Sequence, residues 1–187
     1  CARKSLVPIL RYFLLLIFLS LLIGSCSSVN TSAGILIPNK IIKEGDVALE
    51  VHDFESLKPL FDNPEDKAIK VINFWATWCA PCVEELPVFE TLNTNYKDKG
   101  VEVTLVSLDF PGQLVSRVIP FIQKQKLKSK ILFLDDPYGN KWIPQVSEDW
   151  SGAIPATVII TQDSYKFFEK SFSYKELALE IEELLEE

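Results

Sequence analysis

The sequence predicts an α/β domain in which helices flank a central mixed β-sheet. Two segments, 69–75 and 101–108, are mostly apolar and β-branched, and each adjoins a stretch with helical character. A predicted hairpin near the C-terminus adds antiparallel strands, which makes the sheet mixed, and a final helix follows it. The chain shows no internal repeat and no second domain.

The first half of the domain is predicted from apolar runs and helix boundary signals. Asp53 is a typical N-cap residue for a short helix, and Gly100 ends the longest helical segment. In order, the predicted elements are strand 47–51, helix 55–61, strand 69–75, helix 79–97 and strand 101–108.

The second half is predicted in the same way. Pro120 indicates a kink or a late start in its first helix, and Ser173 with Glu176 forms a capping box for its last helix. Trp142 and Trp150 are predicted to fill the core or its rim, with a partner groove as the alternative. In order, the predicted elements are helix 113–126, strand 131–134, helix 141–146, strands 156–160 and 166–172, and helix 173–185.

Cys79 and Cys82 lie where the strand 69–75 meets the following helix. Their spacing of three places both on one helix face. Unpaired N–H groups and the positive dipole end of the first turn stabilise a thiolate at Cys79. Pro81 is tolerated in that turn because its missing N–H would have no helical partner. The pattern predicts a dithiol redox centre with Cys79 as the exposed nucleophile and Cys82 as the buried resolving thiol.

Three other interpretations of the cysteine pair remain. A zinc site requires four ligands, and the chain has no second CxxC and a single histidine, His52, far away in sequence. A copper site would combine the same pair with His52. A purely structural disulfide would close a loop so short that it removes little chain entropy. The redox interpretation is therefore favoured.

The chain resembles the thioredoxin superfamily, and most of all its extracytoplasmic TlpA/ResA-type thiol-disulfide oxidoreductases. The resemblance implies a thioredoxin-like three-layer sandwich with the extra strand and helix insert of the TlpA-like branch, over residues 46–187. Four stretches carry it, namely the active-site strand and turn 71–82, the helix start 84–87, the core strand 101–109 and the segment 152–160.

The resemblance also implies site residues. Pro155 would be a cis-proline lying against the cysteine pair, whereas an ordinary trans turn is the alternative. Ile154 beside it would contact the extended chain of a partner. Trp78, Ala80 and Pro81 are the other predicted substrate-binding residues.

Two positions depart from the pattern of relatives. Asn73 stands where cytoplasmic thioredoxins carry a buried aspartate, and ResA-like members instead place a glutamate three residues after the second cysteine, which is Glu85 here. Partial burial would raise the pKa of Glu85 and suit it to proton transfer. The alternative is that Glu84 and Glu85 are solvated acids favoured by the helix dipole. Ala80 stands where ResA-like members carry an acid, so the resemblance does not fix the redox potential of the cysteine pair.

The N-terminus predicts export and membrane attachment. Basic residues precede an apolar run over 12–23, which is typical of a signal peptide, predicted here over 1–25. Residues 22–26 resemble a bacterial lipobox, so Cys26 is the predicted lipidation site. Residues 26–45 are a predicted flexible tether. An uncleaved membrane anchor is the alternative.

The implied function is that of a lipid-anchored reductase in the bacterial periplasm. Its expected partners are disulfides of exported proteins, such as apocytochrome c, and a membrane electron donor of the DsbD/CcdA type. No cofactor or metal is expected because the dithiol is itself the redox group. The net charge of −7 argues against nucleic acid, and a monomer is expected. The alternatives are a disulfide-forming oxidase, a thiol peroxidase, and a copper or zinc carrier.

Overall fold

The computed structural model describes residues 36–64 and 68–186. The predicted signal peptide, the lipidation site Cys26 and tether residues 26–35 lie outside the described residues. Among the described residues, no helix combines the length and apolar character needed to cross a membrane.

A seven-stranded mixed sheet forms the centre of the domain, in the order β1-β2-β5-β4-β3-β6-β7. The four middle strands β2, β5, β4 and β3 run parallel, whereas β1, β6 and β7 pair antiparallel with their neighbours. The strands are β1 Lys40–Glu44, β2 Val47–His52, β3 Ile69–Trp75, β4 Val101–Ser107, β5 Lys130–Leu134, β6 Ala156–Ile160 and β7 Tyr165–Phe168.

Helices cover both faces of this sheet. They are α1 Phe54–Leu57, α2 Ala80–Tyr96, α3 Ile119–Gln125, α4 Gly139–Val146 and α5 Tyr174–Glu186. Short 3₁₀ turns add Lys58–Phe61, Lys97–Lys99 and Pro111–Gln113, and a π-helical turn, Leu114–Val118, leads into α3. The late start of α3 is confirmed, since Pro120 lies in its first turn.

Alternation along β3 creates the two halves of the core. Phe74 packs on one face with α1 and α4, in a cluster that holds the buried Trp142 and Trp150. Trp75 packs on the other face with α2 and α5. Side chains of successive strand residues point to opposite faces, so this central strand supplies apolar contacts to both layers. The predicted three-layer α/β sandwich is confirmed.

The predicted boundary between tether and domain is wrong. Strand β1 lies inside 26–45, pairs with β2 and extends the folded domain back to at least Lys40. Its side chains are exposed or half-exposed, so it lacks the alternating apolar pattern that would identify it. The predicted strand 166–172 is also too long, because β7 ends at Phe168.

Candidate active site

The cysteine pair lies at the junction of β3 and α2. Cys79 is the N-cap residue of α2, with extended backbone (φ −88°, ψ 100°), and it forms a disulfide with Cys82. The backbone N–H of Cys82 donates to Cys79 Sγ at 3.3 Å. A cap residue of this kind faces the unpaired N–H groups of the first turn, so the fold places a positive electrostatic environment at Cys79.

The two sulfurs differ in access, although less than expected. Cys82 is fully buried, and Cys79 is 6% exposed in the disulfide form. The prediction of an exposed Cys79 is therefore wrong for this state, because neighbouring residues cover most of its side chain. Cys79 is still the more exposed of the two cysteines, as predicted. Ala80 and Pro81 are exposed and Trp78 is 49% exposed, so the predicted substrate-binding residues lie at the surface around Cys79.

A second loop, which precedes the neighbouring strand β6, meets the cysteine pair. The Ile154–Pro155 peptide bond is cis, which confirms the conformation predicted for Pro155. The carbonyl oxygen of Ile154 lies 3.6 Å from Cys79 Sγ. The residue that precedes the cis-proline therefore contacts the sulfur predicted to react.

This loop is held by Trp150, which was predicted for the core or its rim, and by Glu169, which sequence reasoning missed. The Trp150 indole N–H donates to the Ala153 carbonyl at 2.8 Å. The Glu169 carboxylate accepts from the Ala153 N–H at 2.9 Å, and also from the backbone N–H and hydroxyl of Ser151. The Ser151 hydroxyl, and then the backbone donors, hold the pKa of Glu169 below its ordinary 4.5. Gly152, which lies between Ser151 and Ala153, has a φ of +93°, in the left-handed region that favours glycine.

Asn73 on β3 and Glu85 on α2 form a buried polar group. Both are almost fully excluded from solvent. Asn73 Nδ2 donates to Glu85 Oε1 at 3.0 Å and to Thr157 Oγ1 at 3.2 Å. Glu85 Oε2 accepts from the Phe172 N–H at 2.9 Å. Because residues three apart on a helix are neighbours, Glu85 lies about 5–6 Å from Cys82 between Cβ atoms.

Burial is the main influence on the pKa of Glu85. Loss of solvation raises its pKa above 4.5, while hydrogen bonds from Phe172 and Asn73 act in the opposite direction. The interpretation of both acids as solvated applies only to Glu84, which is exposed, because Glu85 is buried. The pair of neighbouring glutamates thus divides into one surface acid and one buried, titratable acid.

Asp109 anchors the turn that precedes Cys79, and sequence reasoning missed it. Its carboxylate accepts from the Thr77 N–H at 2.9 Å, the Thr77 hydroxyl at 2.5 Å and the Ser107 hydroxyl at 2.9 Å. Asp109 is 3% exposed. A signal existed, because an acid directly after a buried parallel strand lies at the sheet edge where functional residues gather.

An exposed aromatic pair flanks the same turn. The rings of Trp78 and Phe110 stack with centroids 6.5 Å apart, and Phe110 is 62% exposed. Arg117 donates to the Thr77 carbonyl at 3.5 Å. Apolar surface and a cation thus border the turn that carries Cys79.

The residues of the alternative zinc or copper site are not arranged as metal ligands. His52 is fully buried, and its ring nitrogens lie 3.2 Å from Ser56 Oγ and 3.4 Å from Glu50 Oε2. Within 36–64 and 68–186, no group of three or more histidine, cysteine or acidic residues is arranged to hold a metal ion.

Several known proteins are similar in sequence to this chain. The AhpC/TSA family profile matches residues 47–165. The thiol-disulfide oxidoreductase ResA of Oceanobacillus iheyensis is 38% identical over 90 residues, 43% of this chain and 45% of that protein. The ResA of a Bacillus cereus strain is 32% identical over 113 residues, 60% of either chain. The chain spans about half the length of these curated relatives.

Solved structures share its fold at low identity. A thioredoxin-related protein of Neisseria meningitidis serogroup B matches with a TM-score of 0.56 and 19% identity, over 66% of this chain and 90% of that one. A secreted thiol-disulfide isomerase of Corynebacterium glutamicum matches with a TM-score of 0.54 and 17% identity, over 65% and 73%. Both support the thioredoxin-like fold.

Proposed function

The chain belongs to the AhpC/TSA family and has a thioredoxin-like fold, and from this premise we propose that it is a thiol-disulfide oxidoreductase of the ResA type. One observation carries the proposal. The Cys79–Cys82 disulfide caps the N-terminus of α2, and the carbonyl of Ile154, beside the cis-Pro155, lies against Cys79.

The reaction is a two-step exchange that starts from the reduced pair. The Cys79 thiolate attacks one sulfur of a target disulfide, forms a mixed disulfide and releases the other target sulfur as a thiolate. The Cys82 thiolate then attacks Cys79 Sγ, which breaks the mixed disulfide and frees the second target sulfur. Two electrons and two protons pass from the pair to the target, and the pair ends as the Cys79–Cys82 disulfide.

Cys79 acts first because of its position. Cys79 is the less buried of the two cysteines, and the N–H of Cys82 donates to its sulfur. A donor and the helix dipole both favour the charged form of a thiol, and the thiolate is the nucleophile. Cys82 has no access to solvent, so it reacts only with Cys79 Sγ, once that sulfur has formed the mixed disulfide with the target.

Glu85 accepts the proton that Cys82 must lose before it can attack. It is buried one helical turn after Cys82, and burial raises the pKa of its carboxyl above the ordinary 4.5, which suits it to accept a proton. Asn73 cannot titrate and instead orients Glu85 through its amide N–H. Glu85 is thereby the acid–base group of the resolving step.

The target binds as an extended chain across the cis-proline loop. Backbone groups at Ile154 pair with that chain, in the manner of a strand added to a sheet edge. Trp78, Ala80 and Pro81 provide the exposed surface beside the reacting sulfur. Binding through the backbone suits an enzyme whose targets differ in sequence.

We also infer the cellular location of the reaction and its partners. The lipobox-like segment 22–26 supports export and a lipid at Cys26, so that the domain works in the periplasm. A membrane donor of the DsbD/CcdA type returns electrons to the pair, and disulfides of exported proteins such as apocytochrome c receive them. The monomer is the working unit, and reduction, rather than formation, of disulfides is its direction.

Trapping of the intermediate tests this function. Cys82→Ser leaves Cys79 free to attack and removes the thiol that resolves the mixed disulfide. The variant should accumulate disulfide-linked adducts with exported proteins, visible on non-reducing gels and identified by mass spectrometry. Cys79→Ser is the control and should form far fewer. Equal adduct formation by the two variants, or none by either, would contradict the proposal.

A further inference from the structure

The loop that carries Ile154 is exposed, yet several hydrogen bonds hold it. Ser151, Gly152 and Ala153 are all exposed at the surface. An exposed three-residue loop with a glycine at positive φ has many accessible conformations unless side chains restrain it. The position of the Ile154 carbonyl therefore depends on what restrains the preceding residues.

Ala153 is restrained at both of its backbone groups. Its carbonyl accepts from the Trp150 indole at 2.8 Å, and its N–H donates to Glu169 at 2.9 Å. Glu169 also accepts from the backbone N–H and the hydroxyl of Ser151. One carboxylate thus accepts three hydrogen bonds from two loop residues, and Ile154 follows directly.

Glu169 reaches the loop from a different part of the fold. It follows β7, which ends at Phe168, and it lies 16 residues after Ala153. Trp150 is buried against the Phe74 ring, with centroids 4.6 Å apart, so its indole is fixed by the core. The loop is therefore held between a rigid core side chain and a carboxylate that stays ionised at neutral pH.

We propose that Glu169 is a positioning residue for target binding, which holds the Ser151–Ala153 loop so that the Ile154 backbone meets the target chain. The proposal rests on the thiol-disulfide exchange proposed above. Glu169 has no role in the chemical steps, since its contacts are with the loop and not with sulfur. Its loss should therefore weaken the binding of a protein target and spare reaction with a small disulfide that needs no backbone pairing.

The experiment compares two substrates with each variant. The full chain, kept soluble with a mild detergent, is reduced, freed of reductant and mixed with excess insulin or with dithiobis(nitrobenzoate). Reaction rates are followed against substrate concentration, which separates the half-saturation concentration from the limiting rate. Glu148→Ala, which removes an exposed carboxylate before the loop, is the matched control for lost charge.

For Glu169→Ala, the half-saturation concentration of insulin should rise roughly three- to ten-fold. The limiting rate and the rate with the small disulfide should change by less than about two-fold. Glu169→Gln keeps the side-chain volume and one accepting oxygen, so it should fall between wild type and Glu169→Ala. It also keeps the comparison usable if the alanine variant folds poorly.

Two results would overturn the inference while leaving the proposed function intact. One is an equal loss with both substrates, which indicates general disruption of the site. The other is an unchanged half-saturation concentration for insulin in both Glu169 variants. If wild type reduces neither substrate, the proposed function fails, and this inference fails with it.

Discussion

Glu85 Oε2 accepts a hydrogen bond from the backbone N–H of Phe172 at 2.9 Å, inside the core. Its other oxygen accepts from Asn73 on the central strand at 3.0 Å. One buried acid on α2 therefore forms hydrogen bonds to β3, the strand that precedes this helix, and to the segment before α5. This arrangement makes Glu85 both a structural contact and a titrating group, and its variants separate the two roles.

Glu85→Gln should slow the resolving step about 100-fold, the scale of a lost general base. The base form of Glu85 is lost as pH falls through its raised pKa, so the wild-type rate should fall on acidification from above pH 4.5. The variant should lack this acid limb. Stopped-flow measurement of mixed-disulfide resolution against pH checks the prediction, and the same pH profile in both proteins would exclude a role in proton transfer.

The same substitution should stabilise the fold at neutral pH. A raised folded pKa means that the folded chain binds the proton more tightly, so this stability is present below the unfolded pKa and is lost as pH rises through the folded pKa. Glutamine removes the buried charge and keeps an oxygen that can accept from Phe172.

Urea unfolding of the oxidised proteins measures this effect. Glu85→Gln should have the higher free energy of unfolding at pH 7, and the difference should shrink toward about pH 4, where wild type is protonated. A wild type that is more stable than the variant at pH 7 would show that the charged carboxylate is well solvated or paired.

Asp109→Ala should destabilise the oxidised protein by about 2–3 kcal/mol. The substitution removes the acceptor for three hydrogen bonds at a buried site and leaves the Thr77 N–H without its partner. Asp109→Asn keeps one accepting oxygen and should cost less. Asp163→Ala, in the exposed β6–β7 turn, is the control and should change the free energy of unfolding little. Equal small effects at both positions would show that Asp109 does not anchor the turn.

Trp78→Ala should raise the half-saturation concentration for insulin roughly ten-fold, as expected when a central aromatic contact is lost. Because the ring is 49% exposed, the free energy of unfolding should change little. Tyr138→Ala removes another exposed aromatic ring, from the β5–α4 connection, and serves as the control. If the Tyr138 variant weakens insulin binding as much as the Trp78 variant, Trp78 is not a specific contact.

Local signals made much of the site predictable. The cysteine spacing, the strand before it and the helix after it are adjacent in sequence, so Cys79 was expected at the N-terminus of α2 and is found there. Resemblance supplied the cis conformation of Pro155, which no local pattern indicates. It also pointed to Glu85, whose burial only the structure decides.

The missed residues depend on contacts between distant parts of the chain. Glu169 meets Ser151 only because β6 and β7 pair, and a lone glutamate after a strand is usually a solvated residue. Asp109 meets Thr77 because β3 and β4 lie side by side in parallel register. Strand β1 was missed for a different reason, since an exposed edge strand has no apolar face to detect.

An equilibrium titration of the Cys79–Cys82 couple against glutathione or a dithiol standard tests the central claim most directly, because the potential determines which way electrons flow. A reductase should have a potential near that of thioredoxin, about −270 mV. A value near that of the strong oxidant DsbA, about −120 mV, would contradict the proposed direction and make this chain a disulfide-forming oxidase.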